Sequence, residues 1–119
     1  GAQMLACDYI ELLRARGILT ARIEAALQGY DAVLSPTVPV IGRPIHTVAP
    51  GAERDTVFFE LNRLLLRNTS VVNMLDGCAI SVPCHAENEP PVGLMIWHAA
   101  LHDHAILQIA SQAEQQHLY

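Results

Sequence analysis

The sequence predicts an α/β fold, in which a small mixed sheet of about three strands packs with helices. Two stretches, 54–68 and 103–114, repeat apolar residues every three or four positions, as amphipathic helices do. Two others, 78–83 and 92–97, are short and almost wholly apolar, which is typical of strands covered on both faces. Because 119 residues fit one modest domain, we treat residues 1–119 as a single domain.

The first 29 residues predict a pair of helices. Apolar and charged residues are interspersed at helical spacing up to Gly17, which is expected to end the first helix. Thr20 is a good N-cap for a second helix that runs to Gln28. This helical pair at 1–29 precedes a sheet-containing part formed by residues 30–119.

The next predicted element is a strand at Asp31–Ser35, which Pro36 ends. Four prolines and Gly42 exclude regular structure between Pro36 and Pro50. Such a segment either lines a cleft beside the end of a sheet or is simply a long connector, and the residues favour neither interpretation. More than forty residues separate this strand from Cys78–Pro83, which is long enough for a parallel relation between the two.

The second half of the chain predicts a helix, a hairpin and a final helix. The helix covers Arg54–Asn68 and continues less regularly through Thr69–Leu75. A short polar connection joins Cys78–Pro83 to Val92–Trp97, so these two strands are expected to be antiparallel neighbours. Asp103 lies in the first turn of the last helix, where a carboxylate complements the helix dipole.

Three segments stand out in order along the chain: YDAVLSPTVP at 30–39, NMLDGCAISVPC at 73–84, and PVGL at 91–94. Together they resemble motifs of the amidase signature family of amide hydrolases, and the resemblance covers about residues 23–114. It implies a larger α/β/α fold and hydrolysis of a carboxamide by a serine nucleophile, without metal or cofactor. It also implies that the proline-rich loop flanks the substrate cleft.

The chain departs from the family pattern at several positions. Asp76 stands where the pattern has glycine, Cys78 where it has proline, and His85 where it has glycine. Leu66 stands where the tRNA-dependent amidotransferase subunits of the family usually carry an acidic residue. These departures favour an amidase over the A subunit of a tRNA-dependent amidotransferase, which stays open as an alternative.

No catalytic residue is predicted within this chain. The family uses a serine–serine–lysine triad with a Gly/Ser-rich stretch, and the chain has neither such a stretch nor any lysine. The resemblance therefore predicts the C-terminal part of an amidase domain, inactive alone, with its nucleophile in an N-terminal part. Substrate-pocket candidates are Thr37, Thr69 and Asn73, although a turn-capping role is the main alternative for Asn73.

Other site chemistries are disfavoured by spacing. Cys84 and His85 are adjacent and would point apart on a strand, and Ser81 lacks a G-x-S-x-G context. A zinc site would have to be drawn from residues that match no usual ligand spacing: Cys78, Cys84, His98, His102 and His104. We therefore expect no metal and no cofactor, with a small enzyme built on a metal site as the third alternative.

Composition suggests which partners the chain has. A net charge of −5 without a basic cluster argues against nucleic acid, and no apolar run is long enough for a membrane span. An odd count of three cysteines and no visible signal peptide favour a cytoplasmic location. With 51% hydrophobic residues, the chain is expected to form a homo-oligomer or to pair with the N-terminal half. Only the full-length parent would then bind a small amide substrate, and a non-catalytic, self-associating α/β module is the alternative.

Overall fold

A computed structural model of the chain describes residues 3–49 and 54–116. Its architecture is α/β, as predicted, with three α-helices and one three-stranded sheet in these ranges. The elements follow in the order α1 (Ala6–Leu27), β1 (Val33–Pro36), a short 3₁₀ turn (Ile45–Thr47), α2 (Arg54–Met74), β2 (Cys78–Pro83), β3 (Gly93–His98) and α3 (Asp103–Gln115).

The strand order is β1–β3–β2, and both pairings are antiparallel. Ile96 in the middle strand pairs with Leu34 on one side and Ile80 on the other. The sheet of the described residues therefore has no parallel pair, in contrast to the mixed sheet expected. Because β1 and β2 are both antiparallel to β3, they run in the same direction as each other. They are not hydrogen-bonded to each other, since β3 lies between them.

The core lies between one face of the sheet and α3. Side chains alternate along each strand, so Ile80, Val82 and Ile96 share the face that packs against Ile106 and Ala110 of α3. Ile96 and Ile106 are almost fully buried, at 1% and 2% exposure. The opposite face places Ser35, Met95 and Ser81 in one row across the three strands.

Helix α1 is continuous, so the prediction of two helices in residues 1–29 is wrong. Gly17 lies within the helix, and nothing is found within 4 Å of the place where a Cβ would be. A single glycine costs a helix interior only about 1 kcal/mol relative to alanine, which does not end a helix. The helix instead ends before Gly29, whose φ of 88° is open to glycine at little cost.

Arg16 ties α1 to the end of α2. Its guanidinium forms an ion pair with Asp76 (2.7 Å), and its Nε donates to the carbonyl oxygen of Met74 (2.6 Å). Asp76 has a left-handed φ of 52°, and the Gly77 N–H donates to Val72 O (3.0 Å) to close the helix. A cation at this position also complements the negative end of the α2 dipole.

Helix α2 runs to Met74, further than the regular segment Arg54–Asn68 that was predicted. The Thr69 hydroxyl donates to Leu66 O (3.3 Å), which lets a polar, β-branched residue sit inside a helix. Val72 and Leu75 are buried near the helix end, so tertiary packing supports this last segment.

The molecule is flat, with extents of 51 × 49 × 17 Å and a radius of gyration of 17.8 Å. A compact chain of this length would have a radius of gyration of about 14 Å. No residue of α1 is buried, and several of its large apolar side chains are about half exposed or more: Tyr9, Ile10, Leu12 and Ile18. Within the described ranges, no helix is long and apolar enough to cross a membrane.

Candidate functional site

The candidate site lies at the end of the sheet where β1 and β2 stop and β3 begins. Both β1 and β2 end in a proline, Pro36 and Pro83, which cannot donate the next ladder hydrogen bond. In the register of the sheet, Pro83 pairs with Gly93 and Pro36 with Leu94, so the two strand ends reach the same edge. The chain leaves the sheet at this edge, and the proline-rich loop starts there.

Two hydroxyl groups from sequence-distant residues meet at this edge. Thr37 Oγ1 and Ser81 Oγ are 2.5 Å apart, and the Thr37 N–H donates to Gly93 O (2.8 Å). A Cβ on Gly93 would stand 2.5 Å from Ser81 Oγ and 2.7 Å from Thr37 Oγ1. The absent side chain of Gly93 therefore leaves the space in which the hydroxyls pair, and we call these three residues the Thr37–Ser81 site.

Helix α2 adds a polar side chain and a groove beside this site. Asn68 Nδ2 donates to Pro36 O (2.8 Å), one residue before Thr37. A groove of about 310 Å³ lies next to Asn68 and is lined in part by Asn68, Val71, Met95 and Ser35. The Ser35 hydroxyl is buried and has no hydrogen-bond partner among the described residues. A mostly apolar lining with a small number of polar groups is typical of small-molecule pockets.

The structure separates the three pocket candidates predicted from sequence. Thr37 lies at the site, whereas Thr69 binds the backbone of its own helix and Asn73 is exposed, with its carbonyl accepting from the Asp76 N–H (3.2 Å). By helical spacing, Thr69 and Asn73 lie on a different face of α2 from Asn68. Sequence reasoning did not identify Asn68, since nothing in a local pattern marks a helix amide that binds a distant carbonyl.

Several of the side chains considered for thiol or metal chemistry have structural partners. The Val92 N–H donates to His85 Nδ1 (3.3 Å), so this imidazole closes the β2–β3 hairpin. His98 is buried, its Nε2 donates to Tyr30 O (3.2 Å), and its ring stacks on His102 with centroids 3.9 Å apart. Among residues 3–49 and 54–116, no group of three His, Cys, Asp or Glu side chains could hold a metal ion.

Ser81 is not placed for nucleophilic catalysis. Its hydroxyl has one described partner, the Thr37 hydroxyl, and acyl transfer by serine requires a base within hydrogen-bond reach. Lysine is absent from the whole chain. Among the described residues, the arrangement therefore holds no base that could activate a serine nucleophile.

The described residues form a short antiparallel sheet with α3 packed on one face, and solved structures share this fold. Two solved structures show this fold: the A subunit of glutamyl-tRNA(Gln) amidotransferase from Thermotoga maritima, with a TM-score of 0.71, and an amidase, with 0.69. Both are 24% identical to this chain. The matches cover 90% and 98% of this chain but only 22% and 26% of those structures.

The amino-acid sequence of the chain is also similar to those of curated proteins. The A subunit of glutamyl-tRNA(Gln) amidotransferase from Desulforamulus reducens is 32% identical over 111 residues, and that from Sulfolobus acidocaldarius is 28% identical over 107. These matches cover 93% and 90% of this chain, which spans about a fifth (21%) of each relative. No family model matches the chain.

The predicted resemblance is therefore confirmed: the chain is similar to the C-terminal part of amidase-signature proteins of the kind that form the A subunit of this amidotransferase. The relatives' names also make the amidotransferase alternative compatible with these findings, although Leu66 had disfavoured it.

Proposed function

We propose that this chain forms one wall of the substrate pocket in an enzyme that hydrolyses a small carboxamide through a serine nucleophile. The observation that carries the proposal is the Thr37–Ser81 site, which borders a groove with a buried, unpaired Ser35 hydroxyl but has no base among the described residues. The nucleophile, its base and the oxyanion donors then come from the remainder of the protein. The amidase-like fold and the names of the relatives support this division of roles.

Substrate contacts follow from the same arrangement. The Ser35 hydroxyl is buried beside the groove at Met95, where it can donate to a carbonyl oxygen or accept from an amide N–H once a substrate displaces the atoms that cover it. Thr37 lies at the start of the proline-rich loop, so we propose that it affects the substrate pocket through the direction in which this loop runs. We keep Thr69 and Asn73 as candidates for contact with a substrate bound between this chain and the remainder of the protein.

We expect the 119-residue chain alone to hydrolyse simple aliphatic and aromatic amides no faster than buffer does. Binding that is equal in the ground state and the transition state does not raise the rate, and no base lies within hydrogen-bond reach of the Ser81 hydroxyl among the described residues. Addition of the matching N-terminal part should produce turnover, measured as ammonia release. Saturable hydrolysis by the chain alone, abolished by Ser81→Ala or Cys84→Ala, would contradict the proposal.

We further propose that the isolated chain associates with itself. Its flat shape leaves the apolar side chains of α1 exposed, with Leu12 at 54% and Tyr9 at 56%, and both outer strands have an open edge among the described residues. In sedimentation at tens of micromolar, the chain should run as an oligomer, and Leu12→Glu should weaken association about tenfold. Arg14→Glu, an exposed change on the same helix, is the matched control.

A monodisperse monomer at these concentrations would contradict self-association. If the N-terminal part covers the same surface, then its addition should replace the oligomer by a one-to-one complex. An oligomer that persists unchanged in that mixture would show that the two partners use different surfaces.

A further inference from the structure

We infer that Ser81 and Asn68 are positioning residues that hold Pro36–Thr37 and thereby fix the course of the proline-rich loop at 38–49. The inference rests on the proposed function in one respect: it takes this loop as a border of the substrate pocket. It assigns to Ser81 a role that acts through Thr37 and not on the substrate.

Three hydrogen bonds from three elements converge on this dipeptide. Asn68 of α2 donates to Pro36 O (2.8 Å), and the Thr37 N–H donates to Gly93 O of β3 (2.8 Å). The third joins the hydroxyls of Thr37 and Ser81, the latter on β2. The point where the chain leaves the sheet is thus fixed from the helix and from both other strands.

Beyond Thr37, the loop has no comparable attachment among the described residues. The described hydrogen bonds of residues 38–49 are internal: Thr47 N–H and its hydroxyl both donate to Pro44 O, and the Val48 N–H donates to Ile45 O. Prolines further reduce the number of backbone donors in this segment. The direction of the loop is therefore set where it begins, at Pro36–Thr37.

Gly93 makes the hydroxyl pair geometrically possible. β1 and β2 are separated by β3, so equivalent residues on the two outer strands lie about 9–10 Å apart, too far for two short side chains to touch. Thr37 has just passed the end of β1, and Gly93 presents no side chain below it. The two hydroxyls can therefore meet directly over the middle strand.

The dipeptide lies between two cavities, so its position affects both. Pro36 lines the groove of about 310 Å³ beside Asn68 and also a smaller cavity of about 160 Å³ under the loop. The smaller cavity is lined by the loop residues 38–41 and by residues 91–93, which lead into β3. A displaced loop would change the width of the smaller cavity, which is why we expect an effect on substrate binding more than on the chemical step.

Hydrogen exchange on the intact chain tests the positioning directly. Thr37→Val and Ser81→Ala each remove the hydroxyl bond, so the backbone amide of residue 37 should exchange about fivefold faster, which is the usual worth of one hydrogen bond. Asn68→Leu should act in the same direction. Thr37→Ser keeps the hydroxyl and should exchange like the wild type, and the Ile96 amide in β3 should be unchanged in all variants.

An unchanged exchange rate at residue 37 in Thr37→Val would overturn the inference, as would an equal acceleration at Ile96, which indicates general destabilisation. In the complete protein, Thr37→Val should raise KM about fivefold with little change in kcat, and Thr37→Ser should restore KM. Faster exchange without any change in KM would refute the effect of the loop on the pocket. Absence of amide hydrolysis by the complete wild-type protein would contradict the proposed function, while the exchange rates still decide the positioning.

Discussion

Replacement of Ile106 by alanine is expected to destabilise the chain by about 2–5 kcal/mol. Ile106 is 2% exposed and joins α3 to the sheet within the cluster that includes Val82 and Ile96. The loss combines the transfer free energy of the removed carbons with the cost of the cavity they leave. Because small domains have a free energy of unfolding of only about 5–15 kcal/mol, this loss is a large fraction of the total stability.

Urea unfolding measures this effect, with fluorescence of Trp97 as the probe, since it is the one tryptophan and lies on β3. Leu107→Ala is the matched control, because Leu107 is the next residue of α3 and is 57% exposed. It should change the free energy of unfolding by less than about 0.5 kcal/mol. Equal effects of the two substitutions would contradict the described packing of α3.

Elements with a strong local signal were predicted from the sequence nearly to the residue. Asp103 was expected in the first turn of the last helix and is the first residue of α3, and the antiparallel pair of β2 and β3 lies within one residue of the predicted ranges. Apolar periodicity and the short polar connection decide these features, and both are local properties of the chain.

Elements that depend on tertiary structure were predicted less well. Gly17 suggested a helix end, but a glycine is only a weak destabiliser inside a helix, and Arg16 anchors α1 beyond the range of any local pattern. The strand order also has no local signal, because the position of β3 between β1 and β2 is decided by which apolar faces can be covered together.

The candidate site also depends on contacts between residues that are distant in the sequence, so only part of it could be predicted. Thr37 was identified through its motif, but its partner Ser81 is 44 residues away and was considered only as a nucleophile, which its sequence context disfavours. The two hydroxyls can meet across β3 because the residue of β3 that lies beneath them, Gly93, has no side chain. A pair that spans the middle strand cannot be derived from either segment alone.

Replacement of Gly93 by alanine is expected to destabilise the chain by about 1–3 kcal/mol, in the range of overpacked sites. The new Cβ would lie 2.5 Å from Ser81 Oγ and 2.7 Å from Thr37 Oγ1, so the hydroxyls must separate or β3 must shift. Gly17→Ala is the control: with nothing within 4 Å of its Cβ, it should stabilise the helix by about 0.5–1 kcal/mol.

A second substitution distinguishes this clash from a general loss of strand geometry. Ser81→Ala alone should be mildly destabilising, by about 0.5–1.5 kcal/mol, since it removes the hydroxyl bond. In the Gly93→Ala background it removes the closest clashing atom, so it should recover part of the stability, and its effect should change sign. Chemical denaturation of the four proteins in this cycle gives the coupling energy. Additive effects of the two substitutions would contradict the predicted clash. They would show that Gly93 is not needed to make room for the hydroxyls of Thr37 and Ser81.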